Sequence, residues 1–318
     1  MSGSATLGFV GIGNMGVPMA AHLLAAGYDL IVYDVRPEVA QAFVDGHGGR
    51  RADSLADLAE SASIIITMLP NSDIVEQVVF GGGGGSKDRL IDALTPGKTI
   101  IDMSSSAPTR TVALGAKLAD LGIELVDAPV SGGVKRAEDG TLTIMAGGRP
   151  EAVARCRPVL EAIGERIFET GALGSGHAMK ALNNMVSAAG LIAAAEALLI
   201  GRRFGLEPDV MIDVLNASTG RNNSTEKKFR QFVLSRSFAS GFSLDLMLKD
   251  LTTAVKLGHD TDTPAPLSSL CRELWAAADS QLGEGADHTA VVRWLEALAE
   301  VSLEALPNSD EGQASEAS

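Results

Sequence analysis

The chain has 318 residues, 46% of them hydrophobic, enough for two cores, since a single core usually stops growing at about 250 residues. Its formal net charge of -14 speaks against a nucleic-acid backbone or an anionic membrane surface as partner, because both select clustered Lys and Arg. The two cysteines, Cys156 and Cys271, are far apart and have no CxxC spacing, which fits a reducing, cytoplasmic setting with no disulfide framework.

The first residues carry no basic segment and lead straight into an apolar strand, so no signal peptide is expected. From Thr6 to about Phe168, β-rich runs at 7–10, 30–33, 64–68, 99–102, 124–127 and 142–146 alternate with helical segments. That alternation predicts a parallel sheet covered on both faces, with ligands outside the carboxyl ends of its strands. Between the third and fourth runs, Gly81 to Gly85 reads as a surface loop and is assigned no function. After Gly171 the composition turns to Ala-rich and Leu-rich segments with no alternating strand pattern, which predicts a second, all-helical domain. Met185 to Ile200 is apolar but contains Glu196 and falls short of the ~20 residues of a bilayer span, so a buried helix is expected there. The predicted domains are 1–172 for nucleotide binding, 173–306 for substrate and oligomerisation, and 307–318 as a polar, disordered tail.

The first strand runs into Gly11, Ile12, Gly13, Asn14, Met15 and Gly16, a GxGxxG pattern that opens an amphipathic helix marked by Met19, Leu23 and Leu24. Gly11 permits a tight turn, Gly13 lets the backbone approach a pyrophosphate, and Gly16 lets helix and strand pack closely. Asp34 closes the next strand, where a carboxylate can accept from a ribose 2′-hydroxyl and repel a 2′-phosphate. The expected cofactor is NAD, with NADP kept open by Arg36 two residues on. The fold class is therefore α/β, a doubly wound Rossmann-type domain followed by an all-α domain.

Hydride transfer also needs an acid/base beside the carbinol oxygen. Tyr28 and Tyr33 are the only tyrosines, neither followed by Lys four residues later, and the five histidines and two cysteines offer no zinc-ligand spacing, so no metal is expected. His177 remains open as a base or as a capping and packing residue. Lys180 lies in the first turns of an apolar helix opened by Gly174, Ser175 and Gly176, with Asn184 one turn on and on the same face. A helix N-terminus disfavours an ammonium, which suits Lys180 to proton transfer.

At these residues the sequence resembles the β-hydroxyacid dehydrogenase family over about residues 6 to 295. The resemblance rests on Gly8 to Met19, Asp127 to Gly133, Gly174 to Gly176 with Lys180 and Asn184, and Lys249, Asp250 and Leu251, in that order. It implies an enzyme, an oxidoreductase moving a hydride between NAD and the hydroxyl carbon of a small β-hydroxy acid, with Lys180 as general acid/base and Asn184 as its partner. It implies that Ser131, Gly132 and Gly133 cradle the substrate carboxylate; by themselves these small residues fit an ordinary turn better than a backbone anion site. It also implies cofactor contacts at Met68, Leu69, Pro70 and Ser105, where the family often has Thr, and a contact from Lys249 to cofactor or substrate. The alternatives are an imine reductase-like enzyme, against which Lys180 weighs, and a noncatalytic dinucleotide-binding interaction protein. The polar run 220–225 either forms an interhelical loop or grips a second polar group through Arg221. The long helix around residues 180–203 leads to the expectation of a homo-oligomer, a dimer or tetramer, with a small hydroxy acid as the substrate partner.

Overall fold

The computed structural model describes residues 6–81 and 88–304, so all of Gly81 to Gly85 except Gly81, and the whole of the tail 307–318, lie outside the described residues. The chain divides into two compact units after Ala181.

In the first unit the parallel strands are β1 (Thr6–Val10), β2 (Asp29–Tyr33), β3 (Arg50–Arg51), β4 (Ile64–Thr67), β5 (Thr99–Asp102) and β6 (Glu124–Asp127). They lie in the order β3-β2-β1-β4-β5-β6, so the chain reverses direction across the sheet between β1 and β4. Strand periodicity places Phe9, Ile66, Ile101 and Val126 in one core and Ile65, Ile100 and Leu125 in the other. Helices α1 (Gly16–Ala25), α2 (Pro37–His47), α3 (Leu55–Ser61), α4 (Ser72–Phe80) and α5 (Pro108–Ala119) connect these strands. Gly8 is glycine because α3 packs directly on β1: an added Cβ would lie 2.4 Å from Leu58 Cδ2.

Beyond β6 the sheet departs from the parallel pattern read in the sequence. Strand β7 (Val130–Ser131), helix α6 (Gly133–Glu138) and β8 (Leu142–Gly147) form a tight reversal in which β8 runs antiparallel to both β6 and β7. Only ten residues separate the end of β7 from the start of β8, fewer than the dozen or so a parallel crossover requires. Helix α7 (Pro150–Glu161) then leads to β9 (Gly164–Gly171), parallel to β8 and unforeseen in the sequence. Glu165, Arg166 and Glu169 give β9 the charged surface typical of an edge strand and mask its alternation.

Helix α8 (Ser175–Phe204) passes from the first unit into the second. Its Ala188, Leu191, Ala195 and Leu198 are buried, whereas Val186, Ile200 and Phe204 are exposed. The expectation of a buried helix therefore holds for one face, and the full helix, at 30 residues, is long and apolar enough by length and composition to cross a membrane. The second unit continues with α9 (Pro208–Ala217), α10 (Asn223–Lys227), α11 (Leu244–Asp260), α12 (Pro266–Leu282) and α13 (Val291–Ala299). Their apolar faces meet around Leu191, Leu198, Phe229, Leu251, Trp275 and Val291.

Candidate active site

The glycine turn lies at the carboxyl end of β1, where β1 and β4 mark the reversal in strand order and where such sheets bind ligands. Gly11 has φ +100°, and an added Cβ there would lie 2.4 Å from the Met68 carbonyl oxygen. At Gly16 an added Cβ would lie 2.0 Å from the Gly11 oxygen, so the start of α1 can sit this close only as glycine. Gly13 is different: nothing lies within 4 Å of its missing Cβ, and its backbone faces open space. Met15 precedes α1 without a side-chain cap, and the first turn carries no acid, so the helix N–H groups are not competed for by a side chain. This cradle fits a dinucleotide pyrophosphate. Gly13→Ala should preserve the unfolding midpoint and weaken dinucleotide binding roughly 10- to 100-fold, the worth of one hydrogen bond to a charged group; nicotinamide fluorescence titration beside a melting curve reads both.

Asp34 stands just after β2 with its side chain 8% exposed. It accepts from the Ile12 N–H at 3.0 Å and the Arg36 N–H at 3.0 Å, tying the glycine turn to the end of β2. Two acceptor oxygens leave lone pairs for ribose hydroxyls. Arg36 pairs with Asp34 at 3.4 Å and keeps 60% of its side chain exposed.

Met68, Leu69 and Pro70 follow β4, and Ser105 follows β5. The Leu69 N–H donates to Ser104 Oγ at 2.9 Å, and Asp102 accepts from Thr67 Oγ1, the Ser104 N–H and Ser106 Oγ, so both strand ends are locked together. His177 belongs to this network. It is 1% exposed, donates from Nε2 to the Ser104 carbonyl at 3.1 Å, and has Nδ1 2.9 Å from Thr111 Oγ1. Of its two sequence readings, the structure places it in packing.

The first turns of α8 meet the loop after β6. Asp127, fully buried, accepts from the Gly174 N–H at 2.7 Å and the His177 N–H at 2.8 Å. These are the unsatisfied donors of a helix N-terminus, and the carboxylate caps them. Gly176 allows the approach, since an added Cβ would lie 2.1 Å from the Met145 oxygen and 2.9 Å from Asp127 Oδ2. In the second turn, half-buried Lys180 donates from Nζ to the Val130 carbonyl oxygen at 2.7 Å, immediately before Ser131, Gly132 and Gly133. Gly132 and Gly133 have φ of 137° and 69°, and the space beside the missing Cβ of Gly133 is open at the start of α6. Lys180 and the proposed carboxylate cradle are thus neighbours within one unit.

In the second unit, Asn184 donates from Nδ2 to Asp250 Oδ2 at 2.6 Å, and Lys249 pairs with Asp250 Oδ1 at 3.0 Å. Asp250 is 3% exposed and orients both neighbours. Asp250 follows Lys249 in the 249–251 motif, and its part as the shared acceptor of Asn184 and Lys249 shows only in its burial, which the sequence does not carry. Burial raises the Cys156 and Cys271 thiols to about 12 and about 11, so neither is a ready nucleophile. Among the described residues no group of three or more His, Cys, Asp or Glu could hold a metal ion.

The fold and the glycine cradle define a dinucleotide-binding protein. Residues 6–171 match the family described as the NAD binding domain of 6-phosphogluconate dehydrogenase, and residues 174–295 match "NAD-binding of NADP-dependent 3-hydroxyisobutyrate dehydrogenase". The chain is 37% identical over 303 residues to a 2-(hydroxymethyl)glutarate dehydrogenase of Eubacterium barkeri, covering 95% of this chain and 99% of that one. It is 37% identical over 294 residues to a 3-hydroxyisobutyrate dehydrogenase of Pseudomonas aeruginosa, covering 90% and 96%. A solved Mycobacterium tuberculosis 3-hydroxyisobutyrate dehydrogenase with L-serine superposes at a TM-score of 0.82 with 33% identity, covering 92% and 99%. The chain belongs to the β-hydroxyacid dehydrogenase family, and its cofactor is NAD(P).

Proposed function

We propose that the chain interconverts a small β-hydroxy acid and its carbonyl partner, with Lys180 carrying the hydroxyl proton. The observation that carries this reading is the 2.7 Å contact of Lys180 Nζ with Val130 O, next to Ser131, Gly132 and Gly133. Bound nicotinamide supplies the hydride acceptor or donor. The Ser131 hydroxyl and the backbone N–H groups of Gly132 and Gly133 bind the substrate carboxylate. In oxidation the Lys180 amine takes the hydroxyl proton, and in reduction its ammonium returns it. Asn184, held by Asp250, orients the reacting end, and Lys249 contacts cofactor or substrate. Gly11 to Gly16 with Asp34, Met68, Leu69, Pro70 and Ser105 hold the dinucleotide.

We assign nucleotide binding, together with the carboxylate cradle, to residues 1–172, and the rest of the substrate site and oligomerisation to residues 173–306. The exposed Ile200 and Phe204, at 71% and 84%, support a homo-oligomer, which light scattering would reveal as a mass above the chain's 32.9 kDa. Two buried, unpaired cysteines support a cytoplasmic setting. The test is a spectrophotometric screen of 3-hydroxyisobutyrate, L-serine and 2-(hydroxymethyl)glutarate with both cofactors. Turnover of at least one, with kcat/KM higher for NAD because Asp34 repels a 2′-phosphate, is expected. Turnover of none rejects the function, and a preference for NADP rejects the role of Asp34.

A further inference from the structure

In the polar run 220–225 the Arg221 side chain is 63% exposed and pairs with Glu226 at 3.6 Å. The rest of the run docks α10. Asn222 Oδ1 accepts from the N–H groups of Ser224 and Thr225, Thr225 Oγ1 accepts from the Asn222 N–H, and Asn222 Nδ2 donates to the Gly190 carbonyl of α8 at 3.3 Å. The consequence appears one turn later. Lys228 follows α10 at the entry to a widened helical turn, Phe229–Leu234, of the kind often found at functional sites.

Lys228 Nζ donates to Ser187 Oγ of α8 at 3.1 Å, and among the described residues no carboxylate lies within ion-pair distance and no other protein acceptor takes its protons. An ammonium has three donors, and burying one against a single neutral hydroxyl leaves its charge uncompensated. The acid whose field reaches it, Asp287, already accepts from Ser240 Oγ, the Gly241 N–H, the Thr289 N–H and Thr289 Oγ1. His288 nearby is pushed down to about 4 by burial and then by Lys228 itself, so it is neutral and supplies no anion. Burial likewise lowers the Lys228 amine to about 8, at which it still carries its charge in most molecules at neutral pH. The position of this cation is informative. Ser187 shares a helix face with Asn184 and Lys180 and lies three and seven residues further along α8, backbone rises of about 4.5 Å and about 10.5 Å.

We propose that Lys228, with Ser187, forms a subsite for a second, distal carboxylate, making β-hydroxy dicarboxylic acids the preferred substrates. This rests on the reading of Lys180 and Asn184 as the reacting end. It is tested by comparing kcat/KM for 2-(hydroxymethyl)glutarate, with two carboxylates, and for 3-hydroxyisobutyrate, with one, in the wild type and in Lys228→Met. The dicarboxylate-to-monocarboxylate ratio should exceed one in the wild type and fall roughly 10- to 100-fold in the variant, mainly through KM, as expected for losing a hydrogen bond to a charged group. An unchanged ratio overturns the subsite, and so does an equal loss on both substrates, the mark of a purely structural lysine. Should Lys228→Met fail to fold, inhibition of the wild type decides: glutarate must inhibit more strongly than butyrate, and equal inhibition overturns the proposal. Turnover of neither substrate with either cofactor removes the parent reading as well, whereas turnover of 3-hydroxyisobutyrate without the dicarboxylate preference removes the subsite alone.

Discussion

Lys180→Ala should lower kcat by roughly 10²- to 10⁴-fold, the usual worth of a positioned general acid/base, while leaving dinucleotide affinity near the wild-type value. The two effects separate because of where the residue sits. Lys180 is on the second turn of α8 with Nζ on the Val130 carbonyl, whereas the glycine cradle is built from β1 and α1 and leans on Met68 and Asp34. Steady-state NADH formation and nicotinamide fluorescence measure the two quantities independently. A loss of dinucleotide binding equal to the loss of rate would mean that the lysine supports the nucleotide fold and not the chemistry. Lys180→Arg should not restore the rate, because a guanidinium stays protonated and cannot take a proton from the substrate.

The largest effect on stability is expected at Asp127. Its carboxylate is fully buried and accepts from the Gly174 and His177 N–H groups, so Asp127→Ala leaves two buried donors at the start of α8 without a partner. Each orphaned donor costs about 1–3 kcal/mol, a total of about 2–6 kcal/mol, against a typical domain stability of about 5–15 kcal/mol. Denaturant unfolding should show the midpoint fall accordingly. Asp127→Asn keeps a carbonyl acceptor but turns an amide N–H2 toward one of the donors, and should fall between the two. Turnover should fall with Asp127→Asn even where the protein remains folded, because the same carboxylate fixes the register of α8 on the loop that Lys180 touches. A midpoint equal to that of the wild type in Asp127→Ala would show that the capping hydrogen bonds contribute nothing net.

Five of the six parallel strands were legible because each is a short apolar run ended by Gly, Asp or Pro, and the predicted limits at 99–102 and 124–127 coincide with β5 and β6, whereas β3 is two charged residues and carries no such signal. The glycine turn was legible for the same local reason: each glycine answers a steric demand within a few residues of itself. What escaped depends on contacts distant in sequence. The reversal at β7 and β8 is set by pairing across the chain, and β9 is an edge strand whose charges hide its alternation. Gly174 and Gly176 were read as a helix start, while their stricter reasons are a φ of +89° at Gly174 and, at Gly176, the close approach of the Met145 oxygen and the Asp127 carboxylate. Asp250 and Lys228 are ordinary charges in sequence. Only burial, with Asn184 and Lys249 on the first and a lone hydroxyl on the second, gives them meaning. Arg221 drew attention as a cation in a polar run, and the structure assigns that run to helix capping.

Rescue by added amine tests most directly whether an amine at position 180 moves the substrate proton. Lys180→Ala, saturated with NAD and a hydroxy acid that the wild type oxidises, should turn over slowly alone and recover as methylamine is added, with the gain following the free-base concentration. Wild-type turnover by Lys180→Ala in the absence of any amine would contradict the account.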